Sequence, residues 1–197
     1  MSAESQPIAD VFEGSVVKVR GVLRYGNSSL VAPLSGALCA ACHVEVRDRG
    51  SSSWWYGMHS WSTPWSTLFE QTRGEDFLIE PADGGAGVLA AASSLALVDH
   101  GFRLVEEIGV WRAPSPRASE ILRLAGVVED GALWRRPISI CERRISEGDA
   151  VAVLGVARWR PLTRDVGPGE PDYRTAAREL CLEGDPLLVG SDPELRG

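Results

Sequence analysis

The chain has 197 residues, 44% of them apolar and 24% charged, with a formal net charge of -7. That length can hold one sizeable core, and the acidic balance excludes the dominant basic face that a nucleic-acid partner requires. Four cysteines in a chain this long do not make a disulfide scaffold, and no apolar run approaches the ~18–20 residues that span a membrane.

Residues 1–14 read as a polar, flexible arm with Val11-Phe12 as its one anchor. They carry no basic n-region and no apolar h-region, so the expectation is a cytoplasmic protein with reduced thiols. From Val16 the residues alternate. Val17, Val19 and Leu23 fall on one face with Gly21 between them, and Lys18, Arg20 and Arg24 on the other, which is a half-buried strand. Gly26–Ser29 is a turn, Leu30–Ala32 is extended before Pro33, and Pro33-Leu34-Ser35-Gly36 turns again. A second strand is predicted over Ala37–Arg47. Strict alternation would put Leu38, Ala40, Cys42, Val44 and Val46 on one side, and Cys39, Ala41, His43, Glu45 and Arg47 on the other.

Residues 49–65 are rich in serine and glycine and hold four of the seven tryptophans, so they read as a loop or wide hairpin. Short strands are predicted at Phe77–Glu80, Gly87–Ala92, Leu95–Val98 and Arg103–Ile108. Ser115-Pro116 has the residues of a helix cap and first turn, Arg117–Ala125 has helical composition, and Gly126 closes it. Ile138–Arg144 and Ala150–Ala157 are strands joined by the Gly148-Asp149 turn, Arg158–Pro171 is a loop, and Ala176–Leu182 is a strand. Glu183–Pro186 then turns into Leu187–Gly190, and residues 192–197 form a flexible tail. Many short strands, glycine turns and about one helix define a mostly β domain over residues 15–191, a small β-barrel or curled antiparallel sheet.

Several features occur in a fixed order: Val19-Arg20-Gly21, Ala32–Gly36 with Cys39 three residues on, Phe77–Glu80, Glu142 with Ile145 and Gly148-Asp149, and Pro186–Val189. Together they resemble the GIDE-type, or "beside a membrane", domain. That domain occurs in mitochondrially anchored RING ubiquitin ligases and in bacterial proteins. The resemblance implies a β-rich module that engages a protein partner near a membrane surface. It does not carry over ligase activity, because four cysteines cannot make a RING, which needs about eight Cys/His ligands in paired spacing. The family's usual aromatic near Cys42 is missing, and Pro81 stands where the family has an acidic residue.

Two motifs compete for function. Cys39-Ala40-Ala41-Cys42-His43 fits CxxCH, the attachment sequence of c-type haem. Attachment requires both thiols to reach one porphyrin edge, and a regular strand sends residues three apart to opposite faces. The tryptophan-rich stretch, with Trp54, Trp55, Tyr56, Trp61 and Trp65, offers apolar rings with one N–H each, suited to a half-wet contact or to packing over a barrel end. Arg143, Arg144, Arg158 and Arg160 are a weaker candidate for an anionic ligand, set against ordinary ion pairing with the surplus carboxylates. No GxSxG, HExxH or phosphate loop occurs.

The reading the sequence favours is therefore a non-enzymatic protein-binding or regulatory module, with no cofactor or metal, an unknown protein partner, no nucleic acid and no membrane span. The alternative is a haem- or metal-binding redox protein using Cys39, Cys42 and His43. A second alternative, an enzyme of unknown class, has no residue set behind it.

Overall fold

The computed structural model describes residues 10–49, 65–81, 84–98, 102–109, 112–127, 137–161 and 178–191. Twelve strands and one helix follow in chain order: β1 (Val16–Tyr25), β2 (Leu30–Val31), β3 (Leu38–Cys39), β4 (Ala41–Arg49), β5 (Trp65–Gly74), β6 (Phe77–Pro81), β7 (Val88–Ala90), β8 (Leu95–Leu97), β9 (Phe102–Ile108), α1 (Pro116–Leu124), β10 (Ile138–Ile145), β11 (Ala150–Pro161) and β12 (Arg178–Ser191).

Five of the strands close into a barrel in the order β11-β1-β6-β7-β12, with β12 returning to β11 and β8 appended beyond β12. Four of the barrel's contacts are antiparallel and one, β7 with β12, is parallel. A closed five-stranded ring with these crossovers is an OB-type strand plan, which leaves the ring itself without open edges. The alternation read in β1 is what fills it: Val17, Val19 and Leu23 point inward beside Phe77, Ile79, Val151, Val153, Leu182, Leu187 and Val189. Gly21 has no side chain because β6 crosses it closely. A Cβ there would lie on the Glu80 carbonyl oxygen.

Chain inserted between barrel strands builds the rest. β2 to β5 lie between β1 and β6, and β9, α1 and β10 lie between β8 and β11. They form a four-stranded antiparallel sheet, β5-β4-β10-β9, and a two-stranded hairpin of β2 and β3. One face of the sheet presents Val44, Val46, Ile108, Ile138 and Ile140 to Ala118, Ile121 and Leu122 of α1. The helix starts where its chemistry predicts. Ser115 Oγ accepts from Ala118 N at 3.1 Å, Pro116 opens the first turn, and the Ser115 hydroxyl donates to Glu106 Oε2 at 2.8 Å, tying the cap to β9. The sheet joins the barrel through Ala40, Ala41 and Ile145, which belong to the barrel core.

Four expectations need correction. β5 was not foreseen: residues 65–74 are mostly exposed on an edge strand, so no buried face imposes an alternation on them. The predicted loop at Arg158 begins later, because β11 continues to Pro161 by pairing with Arg178–Glu183. The predicted turn at Glu183–Pro186 is instead part of β12, with a register shift opposite Leu154 and Val156. The anchor near the N-terminus is Val11, which is buried in the barrel core, while Phe12 is exposed. Trp159 holds it by donating from Nε1 to the Val11 carbonyl at 3.2 Å.

The crossing at Gly21 yields a direct prediction. Gly21→Ala should lower stability by more than about 2 kcal/mol in urea denaturation, because two backbones must separate to admit the methyl group. Gly109→Ala, which meets nothing within 4 Å, should stay within about 0.5 kcal/mol of the parent.

Candidate functional site

The CxxCH segment does not run as one strand. The chain bends at Ala40, whose N donates to the Ile145 carbonyl and whose carbonyl accepts from Glu75 N, both at 2.9 Å. Pairing therefore changes across the bend. Cys39 lies opposite Leu30 in the β2–β3 hairpin, and Cys42 lies opposite Arg144 and Arg73 in the larger sheet. The bend adds the half-step that strict alternation lacks. Both thiols turn to the same side, are almost completely buried, and share one small cluster with Ala32, covered by Leu30. The expected placement of Cys39 and Cys42 on opposite faces is thereby overturned.

The two thiols interact within this cluster. The interaction with Cys42 pushes Cys39 far up, and burial adds to this. The same interaction pulls Cys42 below the ordinary thiol value, with help from Arg73 and against the opposing effect of burial. The pair therefore holds one proton firmly and gives up the other from Cys42 more readily.

The cover over the pair is fixed from beneath by Glu142. Its carboxylate has no exposed surface and accepts from Leu34 N at 2.6 Å and from Ser35 N at 3.2 Å. The Pro33–Gly36 turn supplies these two amides. It closes by Gly36 N donating to the Ala32 carbonyl at 2.9 Å, with Gly36 in the left-handed region at φ 73°. The Arg117 guanidinium of α1 lies against Gly36. Ser146 Oγ donates to the Leu38 carbonyl at 3.1 Å and receives Arg144 Nη1 at 2.7 Å.

His43 faces the other way. Direct pairing across the sheet aligns Arg103, Arg143, His43 and Thr72 in one row on the face away from α1. His43 Nδ1 and Thr72 Oγ1 are 2.9 Å apart. Burial lowers the imidazole pKa, and the neighbouring Arg143 charge lowers it further, against the opposing charges of Glu70 and Glu45. The next row contains Glu45, which receives Arg47 Nη2 at 2.6 Å and Thr67 Oγ1 at 2.8 Å; burial opposes its ionisation, but these bonds outweigh it and its pKa falls. Cys141 lies beside it and receives Arg103 Nε at 3.3 Å. Thr72 and Arg103 were not singled out from sequence; only the pairing register places them with His43.

The remaining candidates are dispersed. Trp54, Trp55, Tyr56 and Trp61 lie outside the described residues, and Trp65 starts β5 partly exposed. Arg143 and Arg144 sit on opposite faces of β10, one beside His43 and the other beside Cys42. Arg158 and Arg160 lie on the barrel strand β11, where both approach Glu183, at 3.9 and 2.6 Å, and Arg158 also meets Glu13 at 3.3 Å. Among the described residues, no group of three or more His, Cys, Asp or Glu converges as a metal site. No described helix is long and apolar enough to cross a membrane.

Over 71 residues the chain is 35% identical to the cytochrome c-type biogenesis protein CcmE of Paracoccus denitrificans (strain Pd 1222). The likeness covers 33% of this chain and 47% of that protein, so the chain spans about half the length of the curated relative it matches. No family model matches the chain, and no solved structure matches it significantly. The likeness overturns the expectation of a non-enzymatic partner-binding or regulatory module. A protein named for c-type cytochrome biogenesis belongs to the chemistry in which CxxCH is the attachment sequence, and this favours the haem alternative.

Two outcomes follow from the geometry. Glu142→Ala should cost about 3 kcal/mol in urea denaturation, since it strands two amide donors under the turn, and Glu142→Gln should cost less by keeping one acceptor oxygen. His43 has its folded pKa below the ordinary 6.5. Its contribution to stability is therefore complete above that value and is lost as pH falls through the folded pKa. Urea midpoints for the parent should drop between about pH 7.5 and 5, and His43→Gln should flatten that drop.

Proposed function

We propose that this chain handles haem in the maturation of c-type cytochromes. The observation that carries the reading is the 71-residue likeness to a cytochrome c-type biogenesis protein. The residues divide in how well they suit the group. Cys39 and Cys42 do not fit as a finished thioether site, because both are buried under Leu30 while His43 emerges from the opposite face of the sheet. Covalent attachment at this CxxCH is therefore no part of the proposal.

His43 would suit the haem iron as a ligand. A ligating imidazole must be neutral, and burial beside Arg143 shifts His43 in that direction. Thr72 engages Nδ1 and fixes the ring, the usual support for ligation through Nε2. Arg143 and Arg103, in the same row, offer guanidinium groups to carboxylates such as the propionates. Haem, when bound, would supply the iron porphyrin that a maturing cytochrome requires, and the protein would supply orientation and release.

The test is titration of the purified chain with haemin. Expected is a saturable, one-to-one change of the Soret band, weakened at least about tenfold in His43→Ala and retained in a Cys39→Ser/Cys42→Ser double variant. A spectrum that remains that of free haemin, or equal binding by His43→Ala, would sink the reading.

A further inference from the structure

We propose that Cys39 and Cys42 are a redox-active dithiol, closed to an intramolecular disulfide by exchange with an external low-molecular-weight disulfide when the hairpin above them lifts. The inference is independent of haem and uses the opposite face of the sheet.

Three observations carry it. The bend at Ala40 brings two cysteines that a straight strand would send to opposite faces into one buried cluster. Cys141 and Cys181, the other two cysteines, are also buried, but Cys141 receives Arg103 Nε and Cys181 Sγ lies 3.9 Å from the Leu182 carbonyl on β12, so neither belongs to the cluster around the pair. The cover is also slight. It consists of residues 26–37, the β2–β3 ladder has two residue pairs, and among the described residues the cluster beneath has Ala32 and the two thiols as its buried members. Val31 and Leu38 on that hairpin are more than half exposed. The segment is held by Leu34, which packs into the core between the sheet and α1, by Glu142 on Leu34 and Ser35, and by Ser28 Oγ donating to Glu75 Oε2 at 2.7 Å. Such a segment opens locally without unfolding the barrel.

The chemistry balances within the pair and its oxidant. Cys42, as thiolate, attacks one sulfur of the incoming disulfide; that S–S bond breaks, and the departing thiolate takes up a proton. Cys39 then loses its proton and attacks the Cys42 sulfur of the mixed disulfide, forming the internal S–S bond and expelling the second thiolate. Two electrons and two protons pass to the external disulfide, which leaves as two thiols.

The experiment equilibrates the folded full chain with excess glutathione disulfide and counts free thiols by maleimide mass labelling. Expected is the loss of two of the four thiols, a mass lower by about 2 Da, and no change at Cys141 or Cys181. Cys39→Ser should accumulate one glutathione adduct on Cys42, and Glu142→Gln should oxidise faster than the parent by about tenfold, since its clamp is weaker. Four free thiols at equilibrium would overturn the proposal. So would oxidation of Cys141 and Cys181 at the same rate as the pair, which would report global unfolding.

Discussion

A carboxylate without exposed surface governs the assembly of this molecule. Glu142 sits in the middle of β10, points away from water, and is tolerable there only because two backbone N–H groups reach it. Those amides belong to a turn more than a hundred residues earlier in the chain. The requirement that Glu142 be satisfied therefore dictates where the Pro33–Gly36 turn lies. The turn in turn dictates that the β2–β3 hairpin covers the thiol pair, and that Arg117 of α1 meets Gly36. One buried charge thus fixes the hairpin, the sheet and the helix relative to one another.

Several residues that are distant in sequence turn out to be contact partners. Gly21 is the point at which β1 admits Glu80 of β6. Leu34 and Ser35 meet Glu142. Leu23 exchanges backbone bonds with Gly148 and Asp149, both at 2.9 Å. Residues far apart in sequence are thus paired at the places where inserted chain must dock on the barrel. A glycine, a buried carboxylate or a tight turn is hard to replace at such places.

The β character, the inward residues of β1, the cap and end of α1, and the strands at Phe77, Ile138 and Ala150 were all legible in the sequence. Each leaves a local signal: alternation, a Ser-Pro cap, or a glycine after the last helical turn. The site was less legible. A single bend at Ala40 reverses the facing of Cys39, and nothing in Leu38–Cys42 announces it, because the bend is stabilised by distant backbone groups at Ile145 and Glu75. The company of His43 was invisible for a similar reason: Thr72 lies on an edge strand whose exposed residues leave no periodic pattern. Strand register, and not residue type, gathers the row from Arg103 to Thr72.

The long final strand has a consequence for how the barrel comes into being. β12 supplies the parallel neighbour of both β7 and β8 and the second antiparallel neighbour of β11. Until β12 arrives, β7 and β8 expose unsatisfied edges and the ring is an open, curled sheet. Closure must therefore wait for a segment that follows nearly every other element, and the rate of folding is set by long-range pairing rather than by any local hairpin. During synthesis the open edge is the surface most in need of protection, a kinetic exposure that the finished ring conceals.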